Sequence, residues 1–323
     1  MTQLMTFVNA MPGNISQGLI WGILAIGVFI TYKILDFADL TVDGSMATGG
    51  AVCVMLITNG CPVWLAIVCA FIAGCLAGMI TGLLNTLLGI PGILASILTQ
   101  MALYSITLDI MGQSNRPVSV DKYSLIVSSR EVNVVGNSPI MIILALVKIF
   151  VIVAVIIAAL YWFFGTEYGF TIRATGCNQN MARAQSISTK KSTVIALVLS
   201  NGLVGLSGAL LAQYQGNADV NMSRGAIVIG LAAVIIGDVL GTVIFGKRFN
   251  FVARLAFTAI GGIIYFMVLQ IVTIIGLPSQ NNKLFSAVVV IIFLAVPYLR
   301  KSAKTSFGRA AKNSLRKGAP KDA

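Results

Sequence analysis

Between Pro139 and Gly165 the chain carries a single charged side chain, Lys148, in a run that is otherwise almost wholly apolar. As an α-helix such a run is about 40 Å long, more than the ~30 Å hydrocarbon core of a bilayer. A helix apolar on every side has to be surrounded by lipid or by protein. The pattern recurs along the chain. Nine apolar segments can be read, at about 15–35, 45–60, 62–88, 93–112, 139–165, 192–215, 226–246, 251–275 and 284–299. Only 10% of the residues are charged, where a soluble domain would hold roughly 25% to keep its surface wet. A transmembrane β-barrel would show alternating segments of about ten residues instead. The expectation is an all-α polytopic membrane protein with about nine transmembrane segments.

Several kinds of chemistry drop out early. Histidine is absent, which removes the commonest general base and the commonest zinc ligand. The five cysteines form no C-x-x-C pair, and four sit in or beside apolar segments, where a free thiol packs as a small hydrophobe. No catalytic and no metal-binding residue is expected. The first 14 residues hold no charge, so the basic start of a cleavable signal peptide is missing. They are expected to form a short external N-terminus, 1–14.

Charge placement orients the segments. Eight basic residues lie between Arg300 and Lys321, against one acid, Asp322. On a membrane protein such a tail marks the cytoplasmic side and anionic lipid rather than nucleic acid. With the tail inside, loops 166–191 and 247–250 are also inside, and 113–138, 216–225 and 276–283 are outside. Lys33, Arg173, Arg183, Lys190, Lys191, Lys247, Arg248, Arg254 and the tail then gather sixteen basic residues within, against five outside: Arg116, Lys122, Arg130, Arg224 and Lys283. Lys148 is expected to snorkel from within its span.

The two halves share ordered motifs. Ala38-Asp-Leu-Thr-Val42 recurs as Ala218-Asp-Val-Asn-Met222, and Gly89-Ile-Pro91 recurs as Gly276-Leu-Pro278. The expected domains are a permease-like body over 15–299, with repeats of about 15–112 and 192–299, the long loop 166–191, and the basic tail 300–323. The topology places the first motif at the inner face and the second at the outer face, so the repeats are inverted, a plan in which the pathway runs between the halves.

Polar side chains near the membrane are costly and face a wet cavity or a partner. On that ground Asp39, Thr41, Asp43 and Ser45 in the first half, and Asp219, Asn221 and Ser223 in the second, are candidate pathway residues. N-capping is the competing reading for Asp39 and Asp219. Asp238, Tyr265 and Gln270 fit bonding between helices better than the pathway. Gly74, Gly78 and Gly82 form a G-x-x-x-G ridge suited to close helix packing.

Loop 166–191 is longer than a connection needs. A helical middle is expected over Asn178–Ser186, with the small residues Ala182 and Ala184 open to a partner surface. The stretch Gly169-Phe-Thr-Ile-Arg-Ala-Thr-Gly176, with Asn178, Ala182-Arg-Ala184 and Ile187, resembles the coupling loop of ABC-transporter permeases. The similar family serves branched-chain amino acids, ribose and related simple sugars. Asp39-Leu-Thr-Val-Asp-Gly-Ser-Met-Ala-Thr-Gly-Gly-Ala51 resembles the signature after that family's first core helix. The likeness covers roughly 15–300 and looks closest to single-permease systems for tryptophan and tyrosine. It departs at the glycine-rich turn after the seventh span, which survives only as Gly237-Asp-Val-Leu-Gly241 and Phe245-Gly246.

The resemblance implies a multi-pass subunit of a bacterial cell-membrane importer, with its C-terminus cytoplasmic and a second permease chain, a homodimer, completing the pore. A cytoplasmic ATP-binding subunit would hold ATP and magnesium, since the chain has no G-x-x-x-x-G-K-[ST] phosphate loop. An extracytoplasmic solute-binding lipoprotein would deliver the solute, an amino acid of aromatic or branched-chain type. Coupling to the ATPase is expected at Glu167, Gly169, Arg173, Gly176, Arg183 and Ala184. An ion-gradient-driven secondary transporter, and the same ABC role for a nucleoside or simple sugar, are the alternatives. Without histidine, an intramembrane enzyme has no evident nucleophile and base.

Overall fold

The computed structural model describes residues 2–274, apart from 121, 124, 133, 135–137 and 247–249, and scattered positions between 284 and 295. The 276–283 loop with Gly276-Leu-Pro278, most of the ninth apolar segment, Lys247 and Arg248, and the 300–323 tail lie outside the described residues.

The chain runs through α1 (Thr2–Phe29), which ends in a π-helical turn at Ile30–Ile34, then α2 (Thr41–Thr58), α3 (Val63–Thr86) and α4 (Gly92–Met111). After β1 (Asn115–Pro117) come α5 (Ser129–Val132), α6 (Pro139–Phe164), α7 (Glu167–Cys177), α8 (Gln179–Ala184) and α9 (Thr189–Gln215). Last are β2 (Asn217–Asp219), α10 (Ala226–Phe245) and α11 (Phe251–Ile274). Among the described residues, eight helices are long and apolar enough to cross a membrane. They match the first eight apolar segments, and the fold is all-α and polytopic. Residues 2–14, expected as part of a short external N-terminus, are helical and continue α1.

Local chemistry explains the boundaries. Pro62 and Pro91 precede the first turns of α3 and α4, and Pro139 opens α6, positions where a missing N–H costs nothing. Gly112 and Gly216 close α4 and α9 with φ of 67° and 74°, the left-handed geometry that a Cβ disfavours.

The contacts give each helix a direction. Ser200 Oγ donates to the Gly27 carbonyl at 2.7 Å and Ser207 Oγ to the Ile20 carbonyl at 2.8 Å, so α1 and α9 are antiparallel. Ser45 and Gly49 of α2 meet Asn201 and Gly205 of α9 in the same order, so those two helices are parallel. Gly230 of α10 lies against Leu24 and Val28, and Lys33 pairs with Asp238, so α10 runs with α1. In α3, Gly74 and Gly78 meet the backbone of Asn201 and Leu197, and in α11 Gly262 meets Gly18 and Gly22 of α1. Thus α1, α2 and α3 oppose α9, α10 and α11 in turn. The repeats are inverted, and the third helix of each lies on the first helix of the other.

At those crossings a Cβ on Gly74 or Gly78 would collide with a carbonyl of α9, so the glycine ridge is a packing surface. Lipid offers no hydrophobic drive between helices, and close packing plus interhelical hydrogen bonds of about 0.6 kcal/mol each hold them together. α1, α2 and α9 form the enclosed centre. Large apolar side chains of α3, α4 and α6, among them Trp64, Leu76, Leu94 and Phe150, face outward.

The ends of the bundle differ. At one end α7 packs on the π-helical turn after α1, through Gly176 against Ile34. At the other, β1 and β2 pair antiparallel, with Asn115 opposite Asp219. One charged group resolves differently from expectation and another as expected. Lys148 pairs with Glu131 of α5 at 3.2 Å instead of reaching out alone, and Asp238 joins Lys33 at 3.3 Å and Arg254 at 3.8 Å. The latter pairing ties α1, α10 and α11 together, the interhelical role.

Candidate functional site

The site begins where α1 ends. Beyond the π-helical turn, Asp36 adopts φ 56° and turns the chain back into the bundle. Asp39 is 3% exposed, and a buried carboxylate without partners would be untenable. Its Oδ1 accepts the Thr41 N–H at 2.9 Å and its Oδ2 accepts Asn201 Nδ2 at 2.7 Å. Asn201 Oδ1 in turn accepts Ser45 Oγ–H at 2.7 Å. Two hydroxyl pairs extend this polar seam: Thr41 with Thr81 at 2.8 Å, and Thr48 with Thr107 at 2.9 Å. All of these groups are buried. They join α2 to α3, α4 and α9.

The second half repeats the turn. Asp219 Oδ1 accepts the Asn221 N–H at 2.6 Å, the same two-residue bond that Asp39 makes with Thr41. Gly225, at φ 86°, then starts α10. The first N–H groups of a helix lack intrahelical partners and carry its positive end. Here Asp43 of α2 supplies the partner. Its Oδ2 accepts Gly225 N–H and its Oδ1 accepts Ile227 N–H, both at 3.1 Å.

This contact lies deep in the bundle. Gly230 sits beside Leu24 of the span Asn9–Ile34, which puts the start of α10 about 18 Å from the α1 end nearest Asn9. The segments that follow the two motifs, Asp43 on one side and Gly225–Ile227 on the other, therefore meet inside the bundle, while β2, which carries Asp219, stays at its end. The physical reason is that each half starts its second helix within the bundle, where Gly44, Gly49 and Gly50 bring α2 against its neighbours with no Cβ in the way.

Beside the contact opens a cavity of about 470 Å³, walled by α2, α4 and residues 220–224. Asp43, Gln100, Tyr104, Ser105, Ser223 and Arg224 bring polar groups to it, and Ala47, Ile97 and Met101 apolar ones.

The long loop is two helices rather than one. α7 was not expected, and α8 is shorter than the expected 178–186; Asn178 Oδ1 caps it by accepting from Asn180 and Met181 N–H, both at 3.0 Å. Gly169 lies against the backbone of Phe164, and Gly176 against Ile34 and Leu35. The Arg173 guanidinium sits 4.5 Å from the ring centroid of Phe251 and 5.5 Å from that of Phe164, inside the range of cation–π attraction. Ala182 is buried toward the bundle, whereas Glu167, Arg183 and Ala184 are exposed. Arg183 Nε donates to Thr189 Oγ1 at 3.2 Å and lines a second cavity of about 340 Å³ with Leu87, Leu88, Gln179 and Lys190.

Comparison with known proteins decides the family. Residues 13–296 match the model of the branched-chain amino acid transport system permease component. The chain belongs to that permease family. It is 37% identical over 297 residues to the tyrosine transport system permease protein of Clostridioides difficile (strain R20291), covering 91% of this chain and 94% of the relative. It is 28% identical over 262 residues to the fructose import permease protein FruF of Bifidobacterium longum, covering 79% and 68%. It is 31% identical over 148 residues to the nucleoside ABC transporter permease protein NupC of Lactococcus lactis subsp. cremoris, covering 44% of each. No solved structure matches.

The permease is a multi-pass cell-membrane protein of a family whose ATPase is a separate subunit. Within it the candidate pathway residues divide. Asp43 and Ser223 line the cavity. Asp39, Thr41 and Ser45 lie in the buried seam, and Asp219 and Asn221 shape the turn before α10. The coupling candidates divide as well: Glu167, Arg183 and Ala184 are open to a partner, while Gly169, Arg173 and Gly176 seat α7 on the permease itself. Gln100 and Tyr104 line the cavity without having been singled out for the pathway. A glutamine in the middle of an apolar run was the available signal for the first; Asn201, the hub of the seam, carried the same signal.

Proposed function

We propose that the permease is the membrane-spanning subunit of an ATP-driven importer that carries an amino acid, aromatic or branched-chain. The reading rests on one observation above the rest: Asp43 of the first repeat meets the start of α10 of the second repeat beside an open cavity with charged and apolar walls. An opening at the junction of two inverted repeats can face one side or the other as the repeats rock. The likeness to a tyrosine permease supports an amino acid as cargo.

In this reading a solute-binding lipoprotein delivers the amino acid at the β1–β2 end, which faces outward, and the basic tail lies in the cytoplasm against anionic lipid. A second copy of the permease completes the pore. ATP and magnesium bind the partner ATPase, which seats on the exposed side of α7 and α8 around Glu167, Arg183 and Ala184. Gly169, Arg173 and Gly176 pass its movement to α1 and α11. ATP shifts the transporter between states only by favouring one over the other.

The test is uptake of L-tyrosine and L-leucine into proteoliposomes holding the permease, its ATPase and its binding protein, with and without ATP. ATP-dependent accumulation of either supports the reading. Uptake by the permease alone, following a sodium or proton gradient, would favour a secondary transporter. ATP-dependent uptake of fructose or uridine in place of amino acids would shift the cargo to a sugar or nucleoside, as the relatives that carry those names suggest.

A further inference from the structure

Two opposite charges line the cavity at the repeat junction without neutralising each other. Asp43 and Arg224 both face it, yet no ion pair within 4.0 Å joins them, and among the described residues Arg224 has no salt-bridge partner. Arg224 is exposed and lines the cavity, so its guanidinium is open to a ligand there. Its position is therefore informative.

The positive end of α10 is already filled. The Asp43 carboxylate accepts the Gly225 and Ile227 N–H groups, so an anionic group entering the cavity finds a carboxylate where the helix end would otherwise receive it. The free cationic donor is Arg224. Asp43, for its part, keeps acceptor capacity, since a carboxylate offers about four lone-pair sites. Its two backbone bonds also hold it in place. Opposite these charges Ile97, Met101 and Tyr104 of α4 supply an apolar and aromatic wall, with Gln100 beside them. A neutral sugar would leave both charges unmatched, and a simple anion or cation would leave one.

We propose that this cavity selects a zwitterionic α-amino acid with an apolar or aromatic side chain, Arg224 taking the carboxylate and Asp43 the ammonium group. The inference rests on the transport reading above and names the two residues that give the site its specificity. No covalent step is involved.

Saturation-transfer NMR on the full permease in nanodiscs tests it, because the method detects weak binding. The probes are L-tyrosine, tyramine, 3-(4-hydroxyphenyl)propionate and fructose, with empty nanodiscs as the blank. Ring-proton signals are expected for L-tyrosine. They should weaken about tenfold for either analogue that lacks one charge, the loss expected for one charge-assisted bond, and fructose should give none. This ligand series uses only the wild-type protein, so no variant's folding enters it. Arg224→Gln, at an exposed position, should cost L-tyrosine the same factor while leaving tyramine unchanged, and Arg224→Lys should restore part of it. Equal signals from tyrosine and tyramine, or an unaltered tyrosine signal in Arg224→Gln, would overturn the assignment. ATP-driven uptake measured on the same preparation separates the two levels. Amino-acid uptake without this charge dependence sinks only the residue assignment, whereas binding and uptake of fructose alone sinks the amino-acid reading with it.

Discussion

The Asp43 carboxylate and the Gly225 N–H stand 182 positions apart in the chain and meet at 3.1 Å. One belongs to the second helix of the first repeat, the other to the start of the corresponding helix in the second. The bond joins the halves at the point where the cavity opens, so any rocking of one half against the other has to stretch or carry this contact.

Asp43→Ala removes both acceptors from the first turn of α10. Losing a helix cap of this kind costs about 1–2 kcal/mol, and the thermal unfolding midpoint of the permease in nanodiscs should fall by a few degrees. Uptake should fall far more, since the junction itself is loosened. A variant with a lowered midpoint and undiminished uptake would show that the contact is purely structural.

Asn201 has two jobs in one side chain, donating to Asp39 and accepting from Ser45. Replacing it with leucine strands the buried Asp39 oxygen, a loss of about 1–3 kcal/mol. Ser45→Ala should cost nearer 0.6 kcal/mol, the usual size of an interhelical bond in a bilayer. Because the penalty comes from an unpaired charge, Asp39→Leu combined with Asn201→Leu should be more stable than Asn201→Leu alone. Unfolding midpoints of the three variants check the order; a double variant worse than the single would refute it.

How much of this was legible in the residues follows from which physics each feature obeys. The spans answer to length and apolarity alone, so all eight described ones could be read to within a few residues, apart from the extra turns at the start of α1. Helix α7 could not. Gly169, Thr171, Thr175 and Gly176 are poor helix formers, and the helix lies on Phe164 and Ile34 because Gly169 and Gly176 have no Cβ at those contacts. Nor does hydropathy report depth. Asp39 and Asp43 look alike as acids near a helix start, yet one closes a buried seam and the other lines a cavity. Residues 35–40 are not α-helical, so helical periodicity could not assign their faces. Arg224 follows Ser223 in the polar stretch of the second half; only the fold carries it to the same cavity as Asp43.

Arg173 and Arg183 lie ten positions apart and should fail in different ways. Arg173 rests on three aromatic rings, Phe164, Phe170 and Phe251, worth about 0.5–2 kcal/mol each way the ring is desolvated. Arg173→Glu should lower the unfolding midpoint and uptake together. Arg183 is exposed and makes one side-chain bond to Thr189, so Arg183→Glu should leave the midpoint nearly unchanged while lowering permease-stimulated ATPase activity. Unchanged ATPase stimulation in Arg183→Glu would remove α8 from the coupling surface.

The sidedness of the bundle has its own internal reporters. Cys177 is an exposed free thiol at the end of α7, and Cys61 is a free, half-buried thiol just past the end of α2, toward the β1–β2 end. Two single-cysteine proteins, each keeping one of these and replacing the other four with alanine or serine, can be treated with a membrane-impermeant maleimide. If the basic loops face the cytoplasm, as the charge bias demands, Cys177 should react in inverted vesicles and stay protected in intact cells. Cys61 should react in intact cells, more slowly for its partial burial. Since α7 lies at the Ile34 end of α1 and α2 ends toward β1 and β2, the two thiols must show opposite patterns whatever the orientation. Labelling of Cys177 from outside would turn the protein over and move the ATPase surface away from α7 and α8. Labelling of both from one side would contradict the directions of α1, α2 and α9 themselves.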